Sequence, residues 1–446
     1  MRTVMNAIGR LQFGRSLSAV SAIVFTMTLA GCGDGFFDVK NPGAILDEDL
    51  NSAKGAEALV VGMSSDFSAS FDALVLLNAV GGPEMTGGGS YNLTGEVRRG
   101  LIASEDVDAY WEGAQRARWV AESGLERMKN LGEYDFDNNP LTARAYLFAG
   151  LANRWLGENF CYAVFSAPYE TDDGTAQPKE AAFQRAIPHL QAAILHDSGD
   201  IAMAATGALA QAYVGLGDWS NAVYYAGQVP TDFVYTASYS LNSGREENEL
   251  VQESHQRAEM SAYGTFIAEL GPIGDPRAPW KDCRAPGACA SGQHGAGDAD
   301  NPNYQQMKYP DLGADIPLVK GTEMRLIEAE DYLRKNDLDQ AMEKINEVRT
   351  FHGLTELTAS GLGIGITFEW DSMTGWDILD REYLLTTWLE GRHLGRFHRW
   401  DQGGMTHPYL TGRHHFYELV PEKRFTCYPM ADSECQVNPL VADKCG

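Results

Sequence analysis

The chain is short of positive charge: 35 Lys and Arg stand against 61 Asp and Glu in 446 residues, a formal net charge of −26. A surface this negative repels phosphate backbones and anionic lipid surfaces, which excludes a nucleic-acid-binding protein and a polybasic membrane-docking one. Long apolar runs are also scarce. Beyond the N-terminal segment the greasiest stretch, Leu59 to Val80, is interrupted by Ser64, Ser65, Asp66, Ser68 and Asp72, so no later segment is expected to cross a bilayer. There is no Gly-rich phosphate loop and no nucleophile elbow. Closely spaced Cys pairs are missing too, since neighbouring cysteines are separated by five, seven or nine residues, and a zinc site is therefore not expected. What remains is 44% hydrophobic and 10% aromatic, enough for a sizeable core and too much for a disordered chain.

The N-terminus has its own pattern. Arg2, Arg10 and Arg15 lie in an acid-free stretch that leads into the apolar run Ala19 to Ala30, the layout of a secretory signal peptide. Leu29-Ala30-Gly31-Cys32 closes it and resembles the bacterial lipobox, in which the Cys is lipidated and the preceding peptide removed. Removing residues 1–31 leaves 415 residues and takes the charge to −29, because three arginines go with them. A multiply acylated Cys32 anchors stably, each buried CH₂ contributing ~0.8 kcal/mol. Six cysteines remain, an even number that fits three disulfides in an oxidising compartment. Cys283 and Cys289 enclose a short Gly/Pro/Ala loop and are expected to pair. Cys427, Cys435 and Cys445 crowd the C-terminus, and one of them must then reach Cys161.

Residues 32–50 read as a tether and residues 51–446 as one domain. Val107, Tyr110, Trp111, Ala114, Ala117, Ala121, Leu125 and Met128 recur at helical spacing on one face. Further helices fit Pro140 to Leu156, Glu180 to His196, Ile201 to Leu216 and Asp218 to Gln228. The segment from Ala210 through Tyr213 and Asp218 to Ala222 matches that from Ala329 through Tyr332 and Asp337 to Ala341 at an offset of 119 residues. Ala, Tyr, a turn ending in Asp and a second Ala are the layout of a tetratricopeptide-like helical hairpin. Ala152, Trp155, Gly157 and Glu158 hint at a third copy. The fold class expected is mainly α: such hairpins with long irregular insertions, the largest at about 272–317, rich in Pro and Gly yet containing Trp280, Tyr304 and Tyr309.

Single motifs are weak. Glu328 and Glu330 lie in a charge alternation and read as a solvated helix face. Asp298, Asp300 and Asn303 resemble a calcium loop, but Pro302 stands where a ligand is needed. His393, His398, His414 and His415 read as surface or packed histidines. No catalytic set, metal or cofactor is expected.

Three stretches resemble the SusD/RagB family of nutrient-binding lipoproteins. Phe36-Phe37-Asp38-Val39-Lys40-Asn41-Pro42 is similar to its N-terminal F-x-D-V-x-x-P segment. Arg325, Glu328, Ala329 and Leu333, with Ala341, Ile345, Asn346, Val348 and Arg349, resemble its late helical hairpin. Glu390-Gly391-Arg392 with Leu394 and Arg399-Trp400, and Pro429, Glu434, Asn438 and Pro439, are similar to its closing motifs. The chain departs at His393 and at Arg396-Phe397, which puts a helix-end ion pair in question. The resemblance implies an α-rich fold on the outer membrane, facing the exterior and held by its lipid anchor alone. It implies capture of an oligosaccharide or similar nutrient, and a SusC-like TonB-dependent transporter that the lipoprotein covers as a lid. Stacking on sugar rings needs flat aromatic faces, for which Trp280, Tyr304, Tyr309, Trp370, Trp376 and Tyr91 are the candidates. The alternative is a helical-repeat adaptor that binds only proteins at the cell envelope.

Overall fold

The computed structural model describes residues 47–445 except 88, 167–171, 270–274, 298–300, 364–373 and 412–420. Cys32, the Phe36 to Pro42 segment, Trp370, the calcium-loop aspartates, His414 and His415 lie outside the described residues. The chain divides into residues 1–49 and 50–446, and the architecture here is that of the second unit.

Among the described residues eleven helices of seven or more residues dominate: α1 (Gly55–Gly81), α2 (Asn92–Arg98), α3 (Asp108–Lys129), α4 (Pro140–Asn159), α5 (Glu180–His196), α6 (Asp200–Gly215), α7 (Trp219–Ala226), α8 (Gly321–Arg334), α9 (Leu338–Phe351), α10 (Gly375–Thr386) and α11 (His393–Gln402). The strands are short and pair in twos, all antiparallel. These are β1 (Thr86–Gly87) with β5 (Met260–Ser261), β2 (Tyr162–Ser166) with β3 (Asp173–Pro178), β4 (Val234–Ala237) with β8 (Ile316–Lys320), and β6 (Trp280–Asp282) with β7 (Tyr304–Gln306).

Helix α1 differs from the sequence expectation. It is long and apolar enough by length and composition to cross a membrane, but it is a core helix packed against α3 and α4. Phe67 meets Phe148 at 5.9 Å and Phe71 meets Trp155 at 4.6 Å between ring centroids. Ser68 and Asp72, which interrupt its apolar run, are themselves buried, and Asp72 accepts the Glu249 amide at 3.0 Å. The α3 face is buried as its spacing predicts, apart from half-buried Tyr110. Asn139 accepts the Leu141 amide and Pro140 takes the first turn of α4, where its missing N–H costs nothing.

The two matched segments are hairpins of the same construction, α6–α7 and α8–α9. Each turns through a left-handed residue, Gly217 at φ 70° and Asn336 at φ 58°. Asp218 and Asp337 then cap the next helix by accepting the amides of Asn221 and Gln340, both at 3.2 Å. Helices α4 and α5 form a third antiparallel pair, interrupted by the β2–β3 hairpin. The disulfides join Cys161 to Cys427, Cys283 to Cys289 and Cys435 to Cys445.

Glu330 corrects the solvated-face reading. It is fully buried and is bound by Arg334 at 2.8 Å, Arg399 at 2.5 Å and the Trp400 indole N–H at 2.8 Å. Arg396, one of the departures, pairs with Asp380 of α10 at 2.9 Å. His393 is fully buried.

Candidate functional site

Three loops converge beside the β1–β5 pair. The first is the Gly-rich loop around Ser90 and Tyr91. The second runs from Arg257 to Thr265, and the third is the insertion from Trp280 to Tyr309. Ser261, at the end of β5, is the shared support. Its hydroxyl accepts the amides of Tyr304 at 2.8 Å and Tyr263 at 3.1 Å and donates to the Pro302 carbonyl at 3.1 Å. One buried hydroxyl therefore fixes the backbones that present two tyrosines. Gly297 approaches Gly89 and Ser90 so closely that a Cβ there would lie 2.2 Å from Gly89 backbone atoms, which locks the third loop onto the first.

The surface so built is an aromatic shelf. Tyr263 is 37% and Tyr91 40% exposed. Tyr304 is half-buried, edge-on to Tyr263 at 5.3 Å and stacked on Trp280 at 4.4 Å. Arg284 lies 5.6 Å over the Tyr304 ring and is tethered to Asp282. Burial, with the Asp282 charge, pushes the Tyr304 hydroxyl pKa up, so it stays a neutral donor. Beside Tyr91, Arg257 donates to the Tyr91 hydroxyl at 3.0 Å and to Glu253 at 2.6 Å, and Glu259 accepts from the amide and hydroxyl of Ser90. Burial raises the Glu253 pKa against the opposing charge of Arg257.

Of the six aromatics singled out in the sequence, the structure places Trp280 and Tyr304 in contact with one another beside Tyr263, and Tyr91 on the neighbouring loop, held by Arg257. Trp280 is buried, its indole N–H donating to the Ile267 carbonyl at 3.3 Å, so it is the floor of the shelf and offers no open face. Tyr309 is corrected to a core residue whose hydroxyl donates to the Leu389 carbonyl at 3.1 Å. Trp376 is also core, edge-on to Trp400 at 6.0 Å. Both positions fail as stacking faces because their rings are spent on interior packing. The sequence expectation did not include Tyr263, Arg257 or Arg284, which the structure sets beside these rings. The available signal for Tyr263 was its place before Gly264, a turn residue at φ 69°, which turns the chain at the surface. Among the described residues no three His, Cys, Asp or Glu side chains are grouped as metal ligands.

No family model and no curated protein matches the chain. Solved structures do. A SusD-like carbohydrate-binding protein of Bacteroides vulgatus superimposes with a TM-score of 0.61 at 15% identity, over 88% of this chain and 98% of that one. A SusD/RagB family protein of Bacteroides thetaiotaomicron gives 0.59 at 16%, over 88% and 95%. The chain has the SusD-like fold. A laminarin-binding SusD-like protein, with a TM-score of 0.60 at 16% identity, covers 86% of this chain and 97% of its own. The matches span 86 to 88% of this chain and 95 to 98% of those structures.

Proposed function

We propose that this chain is a member of the SusD/RagB family: an outer-membrane lipoprotein, anchored by acylated Cys32, that captures an oligosaccharide on the shelf of Tyr91, Tyr263 and Tyr304 and delivers it to a SusC-like TonB-dependent transporter. No catalytic step belongs to this reading. The observation that carries it is the pair of exposed tyrosines fixed by Ser261, Trp280 and Arg257 on a helical scaffold whose fold is shared by carbohydrate-binding proteins. Flat tyrosine faces take the C–H faces of pyranose rings, and Arg257, Arg284 and the tyrosine hydroxyls are donors suited to reading sugar hydroxyls. Neither demands a charged sugar. Three disulfides in one chain fit export to an oxidising compartment.

The test is calorimetry of the folded chain against neutral glycans, with laminarin, a β-mannan and an α-glucan as probes and a mixed peptide as the contrast. The expected result is saturable binding of one glycan class, weakened about tenfold by Tyr263→Ala and by Tyr91→Ala with the melting temperature unchanged. Binding of peptide alone, or of no glycan by a well-folded chain, would sink the reading.

A further inference from the structure

A second, unrelated cavity of about 470 Å³ lies where the N-terminus of α5 meets α6, α8 and α11. Its mouth is at Gly217, Gln402 and Gly403, all exposed. It shares no residue with the tyrosine shelf. Most of the charge around it is matched. Arg392 meets Glu158 at 2.8 Å and Glu323 at 3.5 Å, and Arg154 meets the other Glu158 oxygen at 3.1 Å. Arg334 and Arg399 share Glu330, and Arg396 is held by Asp380.

Lys179 is the exception. It lines the cavity at the start of α5 and is only 6% exposed, yet its ammonium has no hydrogen-bond or ion-pair partner among the described residues. Glu180, the next residue, also lines the cavity without reaching ion-pair distance of it. Counting the charged lining residues together with their ion-pair partners behind the wall, Lys179, Arg154, Arg334, Arg392, Arg396 and Arg399 outnumber Glu158, Glu180, Glu323, Glu330 and Asp380 by one. This unpartnered ammonium is open to the cavity, where an entering anion can reach it. The positive end of the 17-residue helix α5 faces the same place. His398, which also lines the cavity, engages Thr426 through Nδ1 at 2.8 Å and has no partner for Nε2.

We propose that this cavity is a binding site for a small organic carboxylate, with the Lys179 ammonium as its ion-pair partner. A single carboxylate supplies the one missing negative charge. A doubly charged phosphate would overshoot it beside Glu158, Glu180 and Glu323. The volume admits a molecule of the size of a sugar acid, and Trp219, with Arg334 stacked 4.2 Å above its ring, walls the cavity for its apolar part. This site goes beyond the glycan reading and does not depend on it.

The experiment is calorimetry of the full chain at pH 7 with D-galacturonate, its neutral methyl ester, hexanoate and inorganic phosphate. A carboxylate is expected to bind one to one, and the ester and phosphate are not. Binding of galacturonate alone assigns sugar acids, and binding of hexanoate alone assigns simple carboxylic acids. Lys179→Met should weaken binding at least tenfold and Lys179→Arg should restore most of it, while the ligand-free melting temperature of Lys179→Met stays equal or rises. Burial lowers the Lys179 pKa to about 8, Glu180 and Glu158 pulling against it and Arg399 adding to it. Wild-type affinity should therefore fall about tenfold per pH unit above pH 8, a readout that needs no variant. Absence of binding by both carboxylates, preferential binding of phosphate, unchanged affinity in Lys179→Met, or an affinity flat from pH 7 to 9.5 would each overturn the proposal.

Discussion

Glu330 shows how far one side chain can depart from its sequence neighbourhood. Burial alone would raise its pKa, but the charges of Arg399 and Arg334 and their hydrogen bonds overcome that and hold it down at about 2. The folded value lies below the ordinary glutamate value of ~4.3, so the stability this carboxylate contributes is fully present above that value. It is lost as pH falls from about 4 through 2. Glu122 is likewise lowered, its burial outweighed by Arg185, His189 and Arg118, and adds to the same acid transition. Glu84 runs the other way: burial raises its pKa, and its protonated form is favoured in the fold. Glu330→Gln should cost about 2–4 kcal/mol, because it leaves two half-buried guanidinium groups without their carboxylate, and should flatten the loss of stability between pH 4 and 2 in urea titrations. An unchanged acid limb would show that other carboxylates govern it. The sequence hides this role because Arg334 is one helical turn away while Arg399 and Trp400 come from α11, some seventy residues on. Ser261 is hidden for the same reason: nothing near it in the chain announces that the Tyr304 amide will dock on its hydroxyl.

At the scale of the element, the α4–α5 pair depends on close approach. A Cβ on Gly150 of α4 would lie 2.5 Å from the Leu190 side chain and 3.3 Å from its backbone nitrogen on α5. Alanine is favoured over glycine in a helix interior by about 1 kcal/mol. Here the clash, worth about 1–3 kcal/mol, wins. Gly150→Ala should lower the urea midpoint, and Leu190→Ala in the same chain should add less than it costs alone, because it also relieves the clash, so that the two changes are not additive. Gly95, with open space around its Cβ position, is the contrast: Gly95→Ala should be neutral or slightly stabilising. The helices themselves were legible where a strict period carried them, as in α3 and in the repeated turn and Asp cap of α6–α7 and α8–α9. The strands were not, since runs of two to six residues give a period of two too little length to show, and their pairing joins residues such as Gly87 and Met260 far apart in the chain. Trp280 and Tyr309 misled for a related reason: a Pro- and Gly-rich insertion reads as surface, yet it folds back and spends its large rings on the interior.

For the whole molecule, the C-terminal segment is tied to the middle of the chain. Tyr428 bridges Asn159 and Cys161 through backbone hydrogen bonds at 2.8 and 2.9 Å, and its buried hydroxyl donates to Asn78 at 2.7 Å. Asn78 in turn donates to Asn159 at 2.7 Å. Because these contacts position the segment already, the Cys161–Cys427 bond acts mainly on the unfolded chain, where it closes a sequence separation of 266 residues. Loop-closure entropy sets that effect at about 5 kcal/mol, against about 3 kcal/mol or less for Cys435–Cys445, which spans only 10 residues. The double change Cys161→Ser with Cys427→Ser should leave the near-ultraviolet circular dichroism intact and shift the urea midpoint down clearly further than Cys435→Ser with Cys445→Ser. The reverse order, or loss of native dichroism, would mean that the long-range bond holds the native segment in place and that the Tyr428, Asn78 and Asn159 contacts do not.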